Sequence, residues 1–167
     1  MKKYFQINFI VSVVTLVFLT NCGYYSFKGS LPSHLKTIAV PLFSSQAPDP
    51  GVGEDITNLL IDGFIADNTL KIADQSKADL ILTGTVTQIV LLPAIVRPGE
   101  TVAESRLRVT VRAKCDDIHR SKVLFNKTFS QEETLEASAG LEERNAAVKD
   151  ALEIISEDII NSTLSGW

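Results

Sequence analysis

Between Ser105 and Asp117 the chain alternates without a break. Leu107, Val109, Val111, Ala113 and Cys115 fall on one side of an extended strand, and Arg106, Arg108, Thr110, Arg112 and Lys114 fall on the other. Successive side chains of a strand point to opposite faces, so a period of two sends the apolar set to a core and the cations to the opposite surface. Such a pattern suits a sheet that is covered on one side only. Cys115 lands on the core side, where a small buried thiol packs and does not react. The row Arg106, Arg108, Arg112 and Lys114 has two readings. It is a solvated sheet face, or it is a cationic surface for anionic headgroup phosphates, which arginine grips in bidentate fashion.

The rest of the chain supplies partners for that strand. Ala78 to Ile89 is a second strand, with Leu80, Leu82, Gly84 and Val86 on one face and Thr83, Thr85 and Thr87 on the other. The run Val90 to Val96 stays apolar up to the turn signal Arg97-Pro98-Gly99. Either it folds back under a helix, or it is a contact patch at a hairpin tip, with Leu92, Ile95 and Arg97 as the contact residues. Thr37 to Phe43 reads as a strand stopped near Pro41, Thr69 to Asp74 as a short strand, and Asp117 to Lys122 as a hairpin turn. Val123, Phe125 and Phe129 then line one face of a strand ending near Glu132. Two segments have helical periodicity. Glu54 to Asn68 carries Ile56, Leu59, Leu60 and Phe64 on one stripe, and Leu141 to Leu164 carries Val148, Leu152, Ile155 and Ile159, with Gly166 where a C-cap belongs. The expected fold is α+β: a single small mixed sheet of about four strands with two α-helices packed on one face, over residues 37–167.

Little in the chain points to chemistry. His34 lies in a polar loop and His119 in a turn, with no acid or nucleophile beside either, so both read as solvated. Glu132-Glu133 and Glu142-Glu143 face no second acid and read as solvated charge. Gly51-Val52-Gly53 lacks the Lys-Ser/Thr of a phosphate cradle and reads as a turn. No nucleophile elbow, metal-ligand spacing or His–acid pairing is present, so neither an enzyme nor a bound cofactor or metal is expected.

The N-terminus has Lys2 and Lys3, then an uncharged apolar run from Phe9 to Leu19. A basic segment followed by a short apolar one describes a secretory signal peptide, here residues 1–21. It is shorter than the roughly 20 apolar residues that span a bilayer. Leu19-Thr20-Asn21-Cys22 resembles the lipobox of bacterial lipoproteins, in which the cysteine is acylated and becomes the mature N-terminus; Asn21 stands where that pattern has Gly, Ala or Ser. Residues 22–36 would then be a lipidated tether, whose Tyr24, Tyr25 and Phe27 suit either a lipid interface or packing on the domain. Removing 1–21 leaves 146 of 167 residues, enough for one domain, and takes the formal charge from −4 to −6 because two lysines and no acid are lost. A mildly acidic domain is a poor nucleic-acid binder. With Cys22 acylated, Cys115 has no partner for a disulfide.

Several stretches together resemble the LPS-assembly lipoprotein family, LptE, in its Bacteroidetes/Chlorobi-like branch. They are Cys22-Gly23-Tyr24 with Phe27, Leu31-Pro32-Ser33-His34-Leu35-Lys36-Thr37-Ile38-Ala39-Val40-Pro41, the strand Ala78-Asp79 to Gly84-Thr85-Val86, and Gly166-Trp167. The resemblance implies a non-enzymatic outer-membrane lipoprotein facing the periplasm. It implies further that the chain plugs an LptD-like β-barrel and helps lipopolysaccharide (LPS) reach the cell surface. The strand Ala78 to Val86 also resembles the periplasmic domain of curli-secretion lipoproteins and penicillin-binding-protein activators, which implies docking on a different periplasmic partner.

Overall fold

A computed structural model of the chain describes residues 31–93, 104–136 and 138–165. In chain order the elements are β1 (Thr37–Ala39), β2 (Ser44–Ser45), α1 (Val52–Asp67), β3 (Lys71–Ile72), β4 (Leu80–Pro93), β5 (Glu104–Asp117), β6 (Lys122–Glu136) and α2 (Leu141–Ser165). The α+β class is as expected, with two helices against one mixed sheet. The sheet has six strands, not four, in the order β3-β1-β4-β5-β6, and β2 pairs with β4 as well. Of the two-residue strands, β3 falls within Thr69–Asp74, read as a short strand, while β2 is too short for any periodicity to show.

Strands β1, β2 and β3 run parallel to the sheet's centre, whereas β4, β5 and β6 form an antiparallel meander of long strands. β1 and β2 follow one another along the same edge of β4, with Ile38 beside Leu80 and Ser44 beside Thr85. The break between them falls at Pro41, which has no N–H to give the ladder. Gly51, at φ 82°, turns the chain into α1 through a left-handed conformation that a Cβ would resist.

The alternation of β5 appears as read: Leu107, Val109, Val111, Ala113 and Cys115 are all fully buried. They meet Ile56, Leu60 and Phe64 of α1 and Val148, Leu152, Ile155 and Ile159 of α2 in one core. Two bulges break the simple parity elsewhere. In β4, Val86 pairs with Val111 and Gln88 with Thr110, so Thr87 is an extra residue. Beyond it Ile89 takes the core side while Gln88 joins the threonine face, the reverse of what continued alternation predicts. In β6, Phe125 pairs with Cys115 but Val123 with Asp116, which turns Val123 away from Phe125 and leaves it 47% exposed. β6 also continues past Glu132, to Glu136. Gly166 lies outside the described residues.

Phe43, 2% exposed, fills the space beside Gly84, where an added Cβ would come within 2.0 Å of its ring. Alanine is ordinarily favoured over glycine in a strand by about 0.5–1 kcal/mol, but the overlap with an enclosed ring outweighs that gain. Gly84→Ala is therefore expected to destabilise the fold by about 1–3 kcal/mol in urea unfolding. Adding Phe43→Leu should recover part of the loss; a neutral or stabilising Gly84→Ala would refute the packing account.

Candidate functional site

The face of the sheet away from the helices is open and polar. On β5 it presents Arg106, Arg108, Thr110, Arg112 and Lys114 in one row, as the alternation requires. The neighbouring rows supply Thr83, Thr85 and Gln88 from β4, and Thr128, Ser130 and Glu132 from β6. Pairing across the strands neutralises much of the row. Arg108 donates through Nε and Nη2 to one oxygen of Glu132, directly opposite it in the ladder, and Arg106 lies 3.6 Å from the other oxygen. The Arg108 hydrogen bond, with the charge of both arginines, holds the Glu132 carboxyl below its ordinary range. Lys114 pairs with Asp116 at 2.9 Å. Arg112, opposite Thr85 and Thr128, makes no ion pair among the described residues. A shallow open depression of about 600 Å³ lies between Gln88, Arg108, Thr110, Ser130, Gln131 and Glu132. Such a dish offers hydroxyls, an amide and one paired guanidinium, which suits hydrated polar contacts, not an enclosed small molecule.

Leu92 sits half-buried on the same face, opposite Arg106, while Ile95 and Arg97 lie outside the described residues. On the helix side of this end, Leu91 and Leu141 are 56% and 79% exposed. With Leu135, Ala139 and Arg144 they border a more apolar groove of about 290 Å³. Arg144, one of the lining residues, also donates to Asp49, whose hydrogen bond raises the arginine's already high pKa.

At the opposite end of the sheet the structure differs from the reading of two solvated histidines. His34 Nε2 lies 2.9 Å from Asp117 Oδ2, and His119 Nε2 lies 2.6 Å from Asp79 Oδ1. The two rings meet edge to face at 6.4 Å. Asp79 Oδ2 also accepts from the Lys36 and Thr37 amides and the Thr37 hydroxyl, and Asp117 Oδ1 accepts from the Arg120 amide. The partners are 83 and 40 residues apart, so only the strand order, which brings the starts of β1 and β4 beside the end of β5, makes them neighbours. No spacing signal marks them. Burial raises the Asp79 and Asp117 carboxyls, but their donors together outweigh it and hold both low. Cys115, pushed up to about 12 by burial and then by Asp116 and Asp117, stays a thiol. Among the described residues no group of three His, Cys, Asp or Glu side chains could hold a metal ion.

Because both carboxyls titrate lower in the folded chain than in the unfolded one, their contribution is complete above the ordinary carboxylate range near about pH 4 and drains away as pH falls through the lowered values. Asp79→Asn should cost about 1.5–3 kcal/mol at neutral pH, as it weakens hydrogen bonds to a charged group. It should also flatten the acid limb of a urea-stability profile. An acid limb as steep as that of the parent would refute the assignment.

Comparison with known proteins bears on the whole domain. Among curated protein sequences none matches the chain. The fold is similar to that of solved structures. A Xanthomonas campestris protein of the DUF330 family superposes with a TM-score of 0.59 at 15% identity, over 83% of this chain and 89% of that one. Rare lipoprotein B from Shewanella oneidensis gives 0.53 at 18%, over 76% and 94%. A minor lipoprotein from Acinetobacter baumannii gives 0.54 at 12%, over 78% and 93%. The sequence pattern of the lipopolysaccharide-assembly family LptE matches residues 35–163, from the segment before β1 to the last turn of α2. The chain belongs to that family, LptE.

Proposed function

We propose that this chain is a lipid-anchored, non-enzymatic assembly factor of the outer membrane. It plugs an LptD-like β-barrel from the periplasmic side and assists lipopolysaccharide on its way to the surface. The observation that carries the reading is the family match across 35–163, nearly the whole described domain. The physical support is the open sheet face. The lumen of a large outer-membrane barrel is polar, so a plug needs a polar flank that hydrogen-bonds on contact. Here most of one face of the three long strands carries hydroxyls, amides and ion pairs, with Ile81, Val90, Leu92 and Val123 as its apolar members, while the helices cover the other face. Arg112, the cation of the row without an acid among the described residues, is the group available to a phosphate there. In this reading Cys22 carries the acyl chains, and two or three chains make a durable anchor.

Three outcomes are expected. Tagged full-length protein drawn from mildly solubilised envelopes brings down a large LPS-export β-barrel in near-equal amount; recovery of a peptidoglycan synthase instead, or of no barrel, overturns the plug reading. Cys22→Ala leaves the protein unprocessed by the lipoprotein signal peptidase and no longer acylated. Arg112→Glu lowers affinity for lipopolysaccharide about tenfold, since it converts an attractive phosphate contact into a repulsive one. Unchanged affinity would return Arg112 to plain solvation.

A further inference from the structure

β6 is the outermost strand on the long side of the sheet, and among the described residues nothing pairs with its outer edge. It runs 15 residues without a proline. An edge of that kind is a template for another extended chain, and proteins guard it with charges that point inward. Lys127 and Glu133 are such residues, and Gln131 between them is a polar one. They sit on the helix side of β6, level with Ala113, Val109 and Leu107 of β5, and Lys127 Nζ is held 5.9 Å from the centre of the Phe125 ring. A newcomer strand is favoured if it brings an opposite charge to the levels of Lys127 and Glu133.

A second copy of β6 does this in one register. Antiparallel pairing about a twofold axis sets each residue opposite its mirror position, and the inward and outward backbone groups match only when the axis passes through a residue. With the axis at Ser130, Lys127 faces Glu133 of the partner subunit and Glu133 faces the partner's Lys127. On the same side Phe125 faces the partner's Leu135, two side chains that are each buried within the monomer. On the open side Asn126 faces the partner's Thr134, and Thr128 faces the partner's Glu132. An axis one residue earlier sets Phe125 against the partner's Glu133, and one residue later sets Phe129 against it; both lose the ion pairs. The ends agree as well. The bulge beside Phe125 and the end of the strand just past Leu135 lie symmetrically about Ser130.

We propose that the outer edge of β6 is the contact surface of a symmetric homodimer of this chain, paired antiparallel about Ser130. It does not depend on the barrel-plug reading.

The test uses the full-length acylated protein in detergent. Ser130→Cys, which sets a thiol opposite its own copy, should form a disulfide-linked dimer under mild oxidation. Asn126→Cys, opposite the partner's Thr134, should not, and Cys115, buried and protonated, stays out of the reaction. In sedimentation, Lys127→Glu and Glu133→Lys should each weaken the dimer about tenfold, because each places like charges opposite at two symmetry-related positions. The double variant Lys127→Glu/Glu133→Lys should restore it. These side chains are not in the buried core, and circular dichroism on each variant checks that the fold is kept. A monomer at every concentration, equal crosslinking of the two cysteine variants, or a double variant no tighter than the single ones overturns the proposal. The charges of β6 would then serve only to keep other strands away.

Discussion

The seating of Phe43 is what the two halves of this domain depend on. Its ring occupies the room left by the missing side chain of Gly84, and its amide donates to Thr57 Oγ1 at 3.0 Å. Thr57 in turn donates to Gly53 O one turn back in α1. One residue thus ties the break between β1 and β2, the middle of β4 and the first turns of α1. The break itself follows from Pro41, which ends β1 and lets the chain drop a side chain inward before β2 resumes along the same edge. Helix α1 is placed by this contact, and α2 packs against α1 and the β5–β6 half.

What could be read from the sequence divides along the range of the interaction. The alternation of β5 is a local property, and it fixed both its buried face and its row of cations. The helices were legible for the same reason: Ile56, Leu60 and Phe64 repeat with the turn of α1. The bulges at Thr87 and Leu124 were not legible, because each serves the pairing of two strands and leaves no mark in either alone. The two-residue strand β2 gains its character from its pairing with β4, not from its own residues. The two His–Asp pairs are the extreme case, since sheet order assembles them from three separate segments.

The open face changes meaning in the same way. As a sequence it is a row of cations. As a surface it is a ladder in which Glu132 answers Arg106 and Arg108, and Asp116 answers Lys114. Exposed pairs of this kind add little stability, roughly 0–1 kcal/mol each. Their effect is on recognition. Much of the charge is already balanced, so the face meets a polar surface by hydrogen bonding, and the long-range attraction that a bare basic stripe would exert is reduced.

The knot of His34, Asp79, Asp117 and His119 lies where the chain enters the sheet. β1 runs parallel to β4, so a pull directed along β1 from its N-terminal end acts along the strand axis and not across it. The backbone bonds from β1 to β3 and β4 would then share the load at once, in shear, instead of opening one by one like a zipper. The amides of Lys36 and Thr37, held on Asp79, would be first to bear it. Were the proposed tether to leave from that end, a pull along β1 would be met by these bonds together.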